Sequence, residues 1–281
     1  MVPVNPVIDT TELAAALASP NPPVVLDIRW KLGGPPGHPA YLEGHVPGAH
    51  YADMEADLSA EPGVDGRHPL PDPDAFTAAM RRFGISTDTD VVTYDGAEGV
   101  GAARAWWVLR YFGHTRVRVL DGGYRAWQAA GLPVETAEPV TGTGDFTAKP
   151  GGMPLLDAVQ AAEYGQADDA VLIDVRAVER FRGETEPVDP VAGHIPGAVN
   201  APEPGTLDDD NLFLLAAAAL RARYEAVGAL PGVRVGAYCG SGATAAHAVL
   251  AMELAGIEAA LYAPSWSGWI TDPSRPVATG E

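Results

Sequence analysis

The single cysteine, Cys239, is the residue whose type and surroundings best suit covalent chemistry. It ends an apolar run, Val233 to Tyr238, that reads as a short buried strand; Gly240-Ser241-Gly242 then open a helix of alanines and aliphatic residues. A thiol so placed meets backbone N–H groups that lack intrahelical partners and carry a partial positive charge, so its nucleophilic thiolate form is favoured. Gly240 and Gly242 permit backbone conformations that other residues avoid, which turns N–H groups inward as an anion-binding nest. The expected cradle is made of the Gly240, Gly242, Ala243 and Thr244 amides around the sulfur. A lone cysteine is more often core filling than nucleophile. Strand, thiol, two glycines, an intervening serine and a helix start in succession favour catalysis.

The elements that must hold this loop occur twice. Val24-Val25-Leu26-Asp27-Ile28-Arg29 and Val171-Leu172-Ile173-Asp174-Val175-Arg176 read as equivalent buried strands, with Asp and Arg each offset by 147 residues. Gly44-His45-Val46-Pro47-Gly48-Ala49 returns as Gly193-His194-Ile195-Pro196-Gly197-Ala198, and Val91-Val92-Thr93-Tyr94-Asp95-Gly96 matches Val235-Gly236-Ala237-Tyr238-Cys239-Gly240. Thr10-Thr11-Glu12 before Leu13 to Leu17 reads as a capped helix, and Gly101 to Phe112 as an amphipathic one. Strands alternating with helices predict an α/β fold with a mostly parallel sheet flanked by helices in each half, and ligands bind beyond the carboxyl ends of such strands. The expected domains are 1–138 and 155–281, joined by a Pro/Gly/Thr-rich linker at 139–154. Asp95 stands where Cys239 stands in the second copy, so only the C-terminal domain can host the nucleophile. His45 and His194 occupy matching positions and are expected to bond backbone carbonyls; the paired Asp and Arg residues are expected to form internal ion pairs.

Composition narrows the partners. The chain has 281 residues and a formal net charge of −19, which argues against nucleic acid and anionic membranes. Any anionic substrate must be held by local donors against that field. The longest apolar run, Leu212 to Leu220, falls far short of the ~20 residues that span a bilayer. One cysteine excludes an internal disulfide, and Met1-Val2-Pro3-Val4-Asn5-Pro6 lacks the features of a signal peptide, so a reducing cytoplasm is the expected setting. No Cys/His cluster suggests a metal, and Gly122-Gly123 lacks dinucleotide spacing, so no cofactor is expected.

Several motifs in the right order resemble the tandem-domain rhodanese-like sulfurtransferases: Leu26-Asp27-Ile28-Arg29-Trp30, His45-Val46-Pro47-Gly48-Ala49, Leu120-Asp121-Gly122-Gly123 with Trp127, Arg180-Phe181-Arg182-Gly183, and Gly193-His194-Ile195-Pro196-Gly197-Ala198. The likeness implies two tandem rhodanese-like domains. Within that family, Cys239-Gly240-Ser241-Gly242-Ala243-Thr244 looks like the loop of the 3-mercaptopyruvate sulfurtransferases, whereas thiosulfate enzymes place basic residues after the cysteine. The resemblance implies a Cys239 persulfide that passes sulfur to a thiol or cyanide, with a thioredoxin-like protein as one possible acceptor class. It implies Arg180 as the substrate-carboxylate residue, with Arg182 and Ser241 as helpers, and a proton relay of Ser241, His68 and Glu55. Glu55 stands where the family usually has aspartate. A further arginine that some members carry after Arg180 is replaced here by Glu186-Pro187-Val188-Asp189-Pro190, and Pro264-Ser265-Trp266-Ser267-Gly268-Trp269 departs from Gly-Ser-Trp-x-Glu-Trp.

Three alternatives stand beside this reading. A thiosulfate sulfurtransferase would use the same persulfide. A cysteine phosphatase would need an arginine six residues after the thiol, where this chain has Ala245. A non-catalytic binding module or sulfur-carrying adaptor is the third, and the intact thiol, glycine loop and serine count against pure scaffolding because packing needs none of them.

Overall fold

A computed structural model describes residues 5–96, 98–210 and 212–281; Met1–Val4, part of the start read above for leader features, lie outside the described residues. The chain divides into two compact units, Met1–Ala60 with Leu70–Met153 and Asp209–Leu214, and Glu61–Pro69 with Pro154–Asp208 and Leu215–Glu281.

In the first unit, β1 (Val7–Ile8), α1 (Thr10–Leu17), β2 (Val24–Asp27), α2 (Gly37–Glu43), β3 (His50–Tyr51), α3 (Pro73–Arg82), β4 (Val91–Tyr94), α4 (Val100–Tyr111), β5 (Val117–Leu120) and α5 (Gly123–Ala129) follow in order. The strands form one parallel sheet in the order β1-β5-β4-β2-β3. Asp9, not Thr10, caps α1: its carboxylate accepts from Glu12 N while the Glu12 side chain reaches back to the Asp9 N–H.

The second unit repeats the plan with α6 (Ala158–Tyr164), β6 (Ala170–Asp174), α7 (Val178–Phe181), β7 (Val199–Asn200), a 3₁₀ turn (Glu203–Thr206), α8 (Ala217–Glu225), β8 (Arg234–Tyr238), α9 (Ala243–Leu254), β9 (Ala259–Leu261) and α10 (Ser265–Trp269). Its parallel sheet runs β7-β6-β8-β9. The central strands are buried on both faces, which explains their uninterrupted apolar sequences. Leu172, Phe181, Ile195, Tyr238, Tyr262, Trp266 and Trp269 pack into one core. Burying a tryptophan removes roughly 150–250 Å² from water, a gross gain of about 4–6 kcal/mol. Trp266 and Trp269 thereby fix α10 beneath the loop that follows β8.

Register decides where chemistry can occur. Asp174 pairs with Tyr238 across β6 and β8, and Asp27 with Tyr94 across β2 and β4, so the two central strands of each sheet end at the same level. There the repeated side chains form the same contacts in both units. Tyr94 and Tyr238 hydroxyls accept from Val46 N (3.0 Å) and Ile195 N (3.1 Å). His45 Nδ1 bonds Tyr41 O at 2.9 Å and His194 Nδ1 bonds Phe181 O at 2.7 Å, each ring stacked on the aromatic residue whose carbonyl it bonds. Arg29 pairs with Asp27 at 2.9 Å, and Arg176 with Asp174 at 2.6 Å. Burial outweighs the attraction of Arg29 and pushes the Asp27 carboxyl up to about 7.

Candidate active site

Cys239 leaves the carboxyl end of β8 and is 3% exposed. Gly242 caps α9 in the left-handed region, at φ 88°, and its N–H donates to Cys239 Sγ at 3.1 Å. Ala243 and Thr244 form the first turn of α9, whose positive end therefore faces the sulfur. The loop is clamped from α10: Trp266 N and Ser267 N donate to the Cys239 and Gly240 carbonyls, both at 2.9 Å. Cys239 N donates to Ser265 Oγ at 3.1 Å, and that hydroxyl donates to Tyr262 O at 3.0 Å. Ser265 sits at φ 54°, a conformation that costs a non-glycine residue about 1–3 kcal/mol and that these bonds hold in place.

Beside the thiol, Ser241 Oγ and His68 Nδ1 lie 2.7 Å apart, both buried. That is hydrogen-bond distance for proton exchange between hydroxyl and imidazole. His68 comes from the Glu61–Pro69 segment, which belongs to the second unit and is anchored by Arg67 N donating to Ser267 Oγ at 3.1 Å. Glu55 lies in the first unit, where Trp30 Nε1 donates to its Oε1 at 2.9 Å.

Arg180 reaches the loop from α7. Its Nη1 and Nη2 lie 3.7 and 3.6 Å from where a Cβ on Gly240 would stand. The guanidinium is held by Glu186 Oε1 and Oε2, at 3.0 and 3.1 Å from Nε, and by Asp189 Oδ2 at 3.0 Å from Nη2. Arg182, two residues on at the C-cap of α7, pairs instead with Glu281 at 3.0 Å on the exposed surface. The structure thus brings together Cys239, Gly240, Ser241, Gly242, His68 and Arg180, and turns Arg182 toward the chain's tail. Among the described residues, no group of three or more His, Cys, Asp or Glu side chains is placed to hold a metal.

Sequence reasoning missed Arg67, Glu186 and Asp189. The Glu186 to Pro190 stretch was legible only as a missing arginine, yet its two carboxylates aim Arg180. Burial works against the Glu186 carboxylate, but Arg180 and the Val188 and Asp189 N–H groups outweigh it and hold the group below its ordinary range. At Asp189 burial prevails over Arg67 and Arg180 and holds the carboxyl above its ordinary range. Arg67 pairs with the second oxygen of Asp189. Its neighbour His68 is the only sequence signal that could have drawn attention to it.

Known proteins share this arrangement of domains. The rhodanese-like domain profile matches residues 9–130 and 157–272. A Pseudomonas aeruginosa protein, provisionally named a 3-mercaptopyruvate sulfurtransferase, is 48% identical over 277 residues, covering 96% of each chain. A Mycobacterium tuberculosis protein, provisionally named the thiosulfate sulfurtransferase SseB, is 45% identical over 97% of this chain and 96% of its own. The crystal structure of the Escherichia coli 3-mercaptopyruvate sulfurtransferase SseA superposes with a TM-score of 0.82 at 30% identity, covering 94% of this chain and all of SseA. With both copies matched and relatives this similar over nearly their whole length, the chain belongs to the rhodanese-like family, among its tandem-domain sulfurtransferases.

Proposed function

We propose that this chain moves sulfane sulfur from 3-mercaptopyruvate, through a persulfide on Cys239, to a thiol or cyanide acceptor. The observation that carries the reading is the joint placement of Cys239 at the helix N-terminus, with Gly242 N 3.1 Å from its sulfur, and of the buried His68–Ser241 pair in the same loop. The Cys239 thiolate attacks the donor sulfur, the carbon–sulfur bond breaks, and its electron pair leaves on pyruvate as the enolate. Ser241 supplies the proton that converts enolate to pyruvate and is resupplied through His68, with Glu55 as the outer member of the relay. An acceptor thiolate then takes the outer sulfur and restores Cys239. Arg180 holds the donor carboxylate, a bidentate task suited to a planar guanidinium, while Gly240, Gly242, Ala243 and Thr244 surround the sulfur and Arg182 lies farther out. Residues 1–138 and 155–281 are the proposed domains, with 139–154 as linker.

The acceptor class we propose is a thiol, including thioredoxin-like proteins. The setting is a reducing cytoplasm, because the mechanism needs the chain's one cysteine as a free thiol; no helix among the described residues is long and apolar enough to cross a membrane. Thiosulfate is the second donor reading, supported by the name of the mycobacterial relative. Intact mass after incubation with each donor, and kcat/KM for both, test the proposal. The expected result is one added sulfur on the wild type, none on Cys239→Ser, and a preference for mercaptopyruvate of about tenfold or more, the size of one missing charge-assisted contact for thiosulfate. No added sulfur overturns the sulfurtransferase reading, and a preference for thiosulfate overturns the donor assignment.

A further inference from the structure

The space above Gly240 is already occupied. A side chain there would begin 2.8 Å from Arg67 Nη2, so the loop approaches that guanidinium as closely as glycine allows. Arg67 is held at one end only: Nη1 pairs with Asp189, whereas Nε and Nη2 are buried and donate to nothing among the described residues. Buried guanidinium donors without an acceptor are costly, and a bound anion would satisfy them. Arg180 Nη2 and Nη1 lie 3.6 and 3.7 Å from the same point, and Asp189 bridges the two arginines with one oxygen each. Two guanidinium groups therefore converge on one loop residue in a protein whose net charge is −19.

We infer that Arg67 is the second anion-binding cation of this site, completing with Arg180 a clamp for the negatively charged end of the incoming reagent. The inference rests on the sulfurtransferase reading for the identity of the natural reagent, but not for the clamp itself. The backbone supports the role: Arg67 N is fixed to Ser267 Oγ, and Ser267 N holds the Gly240 carbonyl, so Arg67 and the loop share one anchor. The shared carboxylate of Asp189 keeps the two like charges together while no anion is bound, and it leaves Nη2 of Arg67 free to donate. Because Arg67 arrives on the same segment as His68, one stretch of chain delivers both a proton-handling group and a charge to the nucleophile.

The test uses the only thiol in the full chain and two alkylating agents of nearly equal size, anionic iodoacetate and neutral iodoacetamide. Arg67→Gln should lower the iodoacetate rate at Cys239 by about tenfold or more while leaving the iodoacetamide rate within about a factor of two, and Arg67→Lys should restore part of the loss. A rate ratio that does not change, or equal losses with both reagents, overturns the inference and leaves Arg67 a prop for His68. Persulfide formation by the wild type is read separately by intact mass, so failure of the sulfurtransferase reading and failure of the clamp give different results.

Discussion

The loops after β4 and β8 are two solutions to one backbone geometry. In each, a glycine in the left-handed region caps the following helix, Gly99 at φ 79° and Gly242 at φ 88°. Each cap donates its N–H to the side chain just after the strand, to Asp95 Oδ1 at 3.0 Å and to Cys239 Sγ at 3.1 Å. The loop carbonyls are tied in parallel too: Tyr124 and Arg125 hold those of Asp95 and Gly96 as Trp266 and Ser267 hold those of Cys239 and Gly240. Asp95 takes two further N–H groups, from Gly101 at 3.0 Å and Ala102 at 3.4 Å. The fold therefore makes an anion cradle whether or not a nucleophile occupies it. What the first copy lacks is the surrounding chemistry: by the matching Tyr41–His45 and Phe181–His194 contacts, Ala40 stands in α2 where Arg180 stands in α7, and the cavity of about 370 Å³ beside that loop, lined also by Arg29 and Lys31, has Asp95 where the second loop has a thiol. The cradle is common to both copies, whereas the His68–Ser241 pair and Arg180 stand only at the second.

The largest effect should come from making the second loop resemble the first. Cys239→Asp and Cys239→Ser should both abolish sulfur transfer, since no other cysteine can take over. Cys239→Asp should still fold, because Asp95 shows that the cradle accepts a carboxylate. Thermal unfolding and turnover of the purified variants check this; residual turnover, or an unfolded Cys239→Asp, breaks the equivalence of the two loops.

A smaller effect follows from deleting what the first copy never had. Arg180→Ala should lower kcat/KM for mercaptopyruvate by about 10- to 100-fold while Cys239 keeps its rate with iodoacetamide. The same change leaves Glu186 and Asp189 buried beside fewer cations and should cost about 3 kcal/mol of stability, visible in denaturant titration. Parallel losses in both rates would make Arg180 a support of the loop and not a binder.

The smallest effect belongs to the first copy. Asp95→Ala removes the acceptor at the start of α4 and should destabilise the chain by about 1–2 kcal/mol, with kcat unchanged at a temperature where the variant is folded. A fall in kcat would show that the first loop contributes to turnover.

The parts of this comparison that were legible in the sequence are the local ones. Apolar runs leading to Asp95 and Cys239, glycines after them and alanine-rich helices beyond are signals confined to a few residues, and the strands and helices read from them begin within about a residue of the patterns. However, β2 and β6 stop two residues short of Arg29 and Arg176, and α4 is buried without a break from Gly101 to Leu109 where the pattern predicts an amphipathic face. The repeat also marked His45, His194 and the Asp–Arg pairs as structural, because a role shared with a copy that lacks the nucleophile is not catalytic. The pairing of His68 with Ser241, across 173 residues, has no periodicity to reveal it and is carried by the family likeness. Arg67 has neither signal. Its position follows from a loop that leaves its sequence neighbours to join the second unit, and from a glycine at 240 whose missing side chain makes the room. Asp189 and Glu186 read as the loss of a cation, whereas in three dimensions they orient the cations that remain.

Ser265 adds an order of events to this picture. The nucleophile emerges during synthesis well before the residue that fixes its backbone, since Cys239 N is held by Ser265 Oγ and its carbonyl by Trp266 N. A growing chain that has passed residue 239 but not 266 has the thiol without its clamp, and without the buried tryptophan that keeps α10 in place. The backbone around the chain's one thiol is therefore fixed only once α10 has docked.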